Sequence, residues 1–224
     1  MSHRGQPWEE PARGGAVIEV AGSDAELASA AAGNPGTAIR FAADSTSDLA
    51  RALGVRLGGS ATGGASEVAV DLLSVQREGG GAPTSPAVNM VVSGAAPDRV
   101  RAWSHRRPCL VELDGEPWWV GPATTVVIAN GEFLRGADVV PRGHPGDGRL
   151  EVQVYALAPS ARRVMRRRLA TGTHLPHPSI RTGRGQRVTI RWEGGRPLEI
   201  DGVARADAQV VGVDLAPAAL RLVL

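Results

Sequence analysis

Apolar residues follow two rhythms along this chain. From Ala16 to Leu53 they mark strand, helix, strand, helix. Ala16 to Val20 reads as a short buried strand. Asp24 to Ala32, rich in Ala, Glu and Leu behind the capping residue Ser23, reads as a helix. Thr37 to Ala43 is a second strand. Ser47 to Leu53 sets Leu49, Ala50 and Leu53 on one helical face and stops near Gly54. Two strand–helix units predict a small α/β piece with parallel strands, too short for a complete doubly wound domain.

After a glycine-rich break at Gly58–Gly64 the period shortens to two. Glu67 to Gln76 alternates as a strand, and Glu78–Ser85 reads as a loop. Strand-like runs follow at Val88–Val92, Cys109–Leu113, Trp118–Val120, Thr124–Ala129, Arg149–Ala156, Arg187–Trp192, Leu198–Asp201, Ala208–Val213 and Leu220–Leu224. Gly and Pro turns between them predict an antiparallel sandwich or barrel. Helical pieces are expected around Asp98–Arg106 and Ser160–Leu169. The fold class expected is therefore α+β: a truncated α/β piece at 16–57 and an antiparallel β-sandwich-like domain at 66–224, behind a loose leader at 1–15.

Composition removes several classes of function. With 42% hydrophobic residues among 224, disorder of the whole chain is excluded. The start of the chain has no apolar signal-peptide core, so a cytoplasmic location is expected. All 25 basic residues are arginine, which removes any Schiff-base or P-loop lysine. A net charge of +2 and few aromatics argue against nucleic acid as partner. One cysteine, Cys109, precludes an internal disulfide and reads as a core residue. A zinc site drawn from His174, His177, His144 and Asp147 has irregular spacing and an intervening Pro176. No metal site is assigned.

The most specific string is Asn130-Gly131-Glu132-Phe133-Leu134-Arg135-Gly136, then Pro141, then Asp147-Gly148-Arg149-Leu150. Each piece alone is an ordinary turn signal. In that order, followed by Gly172, His174, His177-Pro178 and Asp201-Gly202, the set resembles the C-terminal domain of the diacylglycerol-kinase and sphingosine-kinase family of lipid kinases. The resemblance covers roughly 66–224.

Upstream the resemblance continues in altered form. The family's Gly-Gly-Asp-Gly-Thr phosphate turn looks like Gly22-Ser23-Asp24-Ala25-Glu26, which retains Gly22 and Asp24. Glu26 suits a helix N-terminus but repels phosphate. The family's Gly-Thr-x-Asn-Asp-x-Ala-Arg looks like Asp44-Ser45-Thr46-Ser47-Asp48-Leu49-Ala50-Arg51, retaining Asp48 and Arg51. The glutamate of its Asp-Gly-Glu turn, thought to act as base, is replaced by Val203, which accepts no proton. Glu199 lies two residues from Asp201, a displacement of about 7 Å along a strand.

The resemblance thus implies a degenerate relative of lipid kinases, with no cofactor expected and no catalytic residue assigned. It is expected to bind lipid, a membrane surface or a protein partner, or to form a homo-oligomer. One alternative is an active ATP- and Mg-dependent kinase of a diacylglycerol-like or sphingoid hydroxyl. Another is a structural partner of a catalytic paralogue. Arg162, Arg163, Arg166, Arg167 and Arg168 offer contacts to an anionic surface, with a second basic cluster, Arg101, His105, Arg106 and Arg107, near Trp103.

Overall fold

The structure is a computed structural model and describes residues 10–11, 16–54, 66–78 and 84–223. Its elements begin with β1 (Glu10–Pro11), β2 (Val17–Gly22), α1 (Asp24–Gly33), β3 (Ala38–Ala43) and α2 (Asp48–Ala52). Then come β4 (Ser66–Glu78), β5 (Ser85–Ala87), β6 (Met90–Gly94), β7 (Arg107–Leu113), β8 (Glu116–Ala123) and β9 (Thr125–Ala129). The short β10 (Phe133–Leu134) and β11 (Ala137–Asp138) form a small ribbon. The chain continues through β12 (Leu150–Tyr155), α3 (Pro159–Leu169), β13 (Ile180–Gly185), β14 (Arg187–Ile200) and β15 (Val203–Val223).

Strand pairing runs β1-β4-β15-β14-β6-β9-β12-β13. Two long strands make the fold. β14 pairs with β7 over Val188–Trp192 and with β6 over Leu198–Ile200, so one strand serves two layers. Its register shifts between Arg191 and Arg196, where Gly194 and Gly195 let it bend. β15 pairs antiparallel with β4 along most of its length, and its end pairs in parallel with β3. One sheet therefore runs from β2 and β3 into the β-sandwich.

Three apolar clusters fill the interior. Leu73, Val126, Val152, Ile190 and Val211 belong to the core between the sandwich layers. Met90, Val127, Leu134, Tyr155, Met165 and Leu169 lie beneath α3. Leu27, Ile39 and Leu49 pack with Val68, Val70, Leu220 and Leu222, so the α/β elements and the ends of β4 and β15 share one core.

Several expectations need correction. Asp98–Arg106 is not helical, because Arg162 Nη1 holds the carbonyls of Arg101, Ala102 and Ser104, diverting them from an i→i+4 ladder. The Val88–Val92 strand begins at Met90, since the amides of Val88, Asn89 and Met90 all turn to the Asp201 carboxylate. The paired runs 187–192 and 198–201 are one strand, as are 208–213 and 220–223. β13 was not anticipated because it carries two glycines. One of them is required: a Cβ at Gly183 would stand 2.6 Å from the Trp118 ring. The leader expected at 1–15 lies outside the described residues except for Glu10–Pro11, which pair with β4. The break at 58–64 and most of the loop at 78–85 also lie outside them.

Candidate functional site

The turn from β2 into α1 is already filled by the chain itself. Gly22 ends β2 with φ +123°. Three residues into the helix, Glu26 folds back, and its Oε2 accepts from the Ser23 amide at 2.7 Å and the Ser23 hydroxyl at 3.0 Å. A Cβ at Gly22 would lie 2.0 Å from that oxygen. The glycine at this position thus makes room for a carboxylate. The helix dipole favours an anion here, and the anion is intramolecular.

The acids retained from the family pattern are engaged by backbone. Asp24 is buried and accepts from the amides of Asp48 and Leu49, both at 3.1 Å, and from the Ser47 hydroxyl. Ser47 in turn caps α2, accepting from the Ala50 amide at 3.0 Å. Burial, with the Asp48 charge adding to it, pushes the Asp24 carboxyl up to about 6. Asp48 accepts from the amides of Arg135 and Gly136, tying α2 to the β10–β11 turn. Arg51 lies over the Phe133 ring at 5.8 Å, on the same turn.

Asp201 does the equivalent work from the β14–β15 turn, where Asp201 and Gly202 both have positive φ. Its carboxylate takes the amides of Val88, Asn89 and Met90 at 2.8, 3.0 and 2.8 Å. Burial pushes it up to about 7 against those bonds. Val203, two residues on, is 39% exposed.

Ser23, Asp24, Thr46, Asp48, Asn89, Arg135, Asp201, Gly202 and Val203 line a cleft of about 210 Å³. Arg135 stands at its edge. It makes a two-pronged ion pair with Asp98, Nε at 2.9 Å and Nη2 at 2.7 Å, and a further pair with Glu199. Glu199 also lies 4.0 Å from Arg99. Arg135 carries no motif of its own in the sequence; its place beside Gly136 in the most specific string is the available signal.

The other family-like residues knit the fold. Asn130 is buried, and its Nδ2 donates to the carbonyls of Asp71 and Val88 at 2.9 and 2.8 Å. Gly131 admits no side chain, since a Cβ would meet Asn89 Oδ1 at 2.4 Å. Asp71 accepts from the amides of Gly148 and Ala218 at 2.8 and 2.7 Å, which fixes the Asp147–Gly148 turn against the irregular stretch of β15. Asp147 pairs with Arg184.

The α3 arginines divide. Arg162 is buried, 2% exposed, and donates to backbone carbonyls, which removes it from any external surface. Arg163, Arg167 and Arg168 are exposed, and Arg166 is half-buried. His174 is buried and stacks on Tyr155, and burial depresses it to about 4. Cys109 is a core residue with its thiol pushed up to about 12 by burial. Among the described residues no group of His, Cys, Asp and Glu is arranged to hold a metal ion. Nor is any described helix long and apolar enough to cross a membrane.

This arrangement of a strand–turn–helix cleft on a β-sandwich defines a class. Residues 88–224, more than half of the chain, match the YegS C-terminal NAD kinase beta sandwich-like domain, and the chain belongs to that family. No curated protein matches its sequence. Among solved structures it is similar to a protein of Bacillus anthracis str. Sterne assigned as a diacylglycerol kinase, with 16% identity and a TM-score of 0.73. That likeness covers 92% of this chain and 77% of the other. A diacylglycerol kinase from the same organism superposes with a TM-score of 0.68 at 17% identity, over 92% and 75% of the two chains. Yeast NADH kinase complexed with NADH follows at a TM-score of 0.54 and 11% identity, over 92% and 62%. At these identities the likeness is one of fold.

Proposed function

We propose that this chain is a catalytically degenerate relative of lipid kinases, whose cleft holds the fold together and transfers no phosphate. The carrying observation is the Glu26 carboxylate on the Ser23 amide and hydroxyl, in the turn that resembles a phosphate cradle. A nucleotide phosphate would have to displace that carboxylate and then lie beside the acids of the cleft, which Coulomb repulsion opposes. The turn therefore does not fit ATP. Two further features agree. Val203 replaces the family's base, and the nearest carboxylate along the strand, Glu199, is paired with Arg135 and Arg99. Loss of a general base alone lowers a rate on the order of 10²–10⁴.

The test has two arms. Titration with a fluorescent ATP analogue, with and without Mg²⁺, is expected to show no saturable binding. The Glu26→Thr variant, which frees the turn, is expected to bind more tightly than the parent. In the second arm, labelled ATP and diacylglycerol in mixed micelles should give no transfer above background. Robust transfer that Val203→Trp abolishes by filling the cleft would overturn the proposal in favour of an active kinase. Val203 is surface-exposed, so that variant tests the cleft without emptying the core.

A further inference from the structure

Away from the cleft, one face of the molecule carries cations without counter-ions around an apolar centre. The loop between β6 and β7 reaches the surface at Trp103, which is 71% exposed, with the Arg101 guanidinium 5.5 Å from its ring centre. An indole left in water forgoes the favourable burial of a large apolar surface.

The loop is nevertheless fixed from behind. Arg162 of α3, itself buried, donates Nη1 to the carbonyls of Arg101, Ala102 and Ser104 at 2.9, 2.8 and 2.6 Å. Its Nε and Nη2 donate to the Leu157 carbonyl, both at 3.2 Å. Carbonyl dipoles, with no carboxylate among them, balance that guanidinium. A desolvated charge is costly, and here it holds a tryptophan facing outward.

The surroundings continue the theme. Trp103 shares an open groove of about 450 Å³ with Pro122 of β8 and Pro159 at the start of α3. Val120, 77% exposed, lies on the same face of β8 as Pro122, because alternate residues of a strand point one way. On α3, Arg163 is exposed, one residue beyond the buried Arg162. Arg101, Arg106, Arg163 and Arg167 make no ion pair among the described residues, although Arg106 also donates Nη1 to the Ala156 carbonyl at 3.2 Å.

We propose that this face docks on the surface of an anionic bilayer, with Trp103 at headgroup depth and the arginines against the lipid phosphates. A bilayer supplies both halves of the complement at once. Its interfacial layer accepts amphipathic indole rings, and its anionic headgroups attract nearby basic residues. A nucleic acid answers the charge but not the apolar Val120 and prolines, and one exposed aromatic offers no series of stacking platforms. The docking is weak and reversible, since a few side chains fall short of a stable anchor. It is independent of the nucleotide reading and needs no ATP.

Co-sedimentation of the full chain with vesicles of phosphatidylcholine, alone or with one-third phosphatidylglycerol, tests the proposal at low and high salt. The expected result is pelleting with the anionic vesicles at low salt, lost at high salt. Trp103→Ala should weaken partitioning by roughly tenfold, and Arg163→Gln by roughly fivefold. Trp103→Phe should retain most of it. These side chains are exposed, so far-UV circular dichroism should be unchanged in all three. Absence of pelleting at low salt, equal pelleting with neutral vesicles, or an unaffected Trp103→Ala would each overturn the proposal. So would a DNA duplex that binds with the same Trp103 dependence.

Discussion

The cleft beside α1 and the face around Trp103 handle charge in opposite ways. In the cleft the retained acids Asp24, Asp48 and Asp201 turn inward to backbone amides, and Glu26 closes the helix turn. On the Trp103 face the buried Arg162 is balanced by carbonyls, and Arg101, Arg106 and Arg163 make no ion pair among the described residues. The contrast separates two reasons for a residue to be where it is. Removing a carboxylate that holds three buried amides leaves those amides unpaired. A side chain that only faces a ligand carries no such folding cost. Asp201 is of the first kind and Val203, its neighbour but one, of the second.

The sharpest way to break that contrast is at Asp201. Asp201→Ala should cost on the order of 4 kcal/mol, because the amides of Val88, Asn89 and Met90 lose their acceptor in a dry site. Val203→Ala should stay within about 0.5 kcal/mol. Urea denaturation of the two variants measures the difference. If both cost the same, the separation between fold-holding and ligand-facing residues fails.

A change of pH probes the same acids without mutation. Burial holds the Asp24 carboxyl at about 6 and that of Asp201 at about 7, above the unfolded value near 3.9. Between those values the folded chain binds more protons than the unfolded one, so stability falls as pH rises through that window. The buried neutral His174, depressed to about 4, acts the other way over the same range, so unfolding free energy at pH 5.5 should exceed that at pH 8 by roughly 1–2 kcal/mol. A monotonic rise from pH 5.5 to 8 would show these carboxyls to be ionised at no cost.

The smallest expected effect lies on the other face. Arg162→Met removes a buried charge but strands the carbonyls of Arg101, Ala102, Ser104 and Leu157. Water reaches some of these, so the loss should be about 1–2 kcal/mol. The loop should loosen, and tryptophan emission should become more accessible to an aqueous quencher. Unchanged quenching would mean that Arg162 does not position Trp103.

Periodicity along the chain was enough for the type of most elements. The alternation at Glu67–Gln76 is β4, and the capped, alanine-rich run after Ser23 is α1. The place of Glu26 was also legible, because a carboxylate three residues into a helix reaches back to its own cap whatever the rest of the chain does.

What tertiary structure decided were the cases in which a distant group competes for local hydrogen bonds. Residues 98–106 have helix-compatible composition, yet Arg162, far along the chain, takes their carbonyls. Val88 and Asn89 have strand-forming surroundings, yet the Asp201 carboxylate takes their amides. Arg162 belongs to a run of surface-like arginines, and only packing against that loop buries it. Arg135 and Glu199 come together only because the β10–β11 turn lies across the end of β14. Patterning acts over a few residues and selects helix or strand. Where a backbone group finds its partner across the fold, and which charge faces water, depends on contacts that the local pattern does not encode.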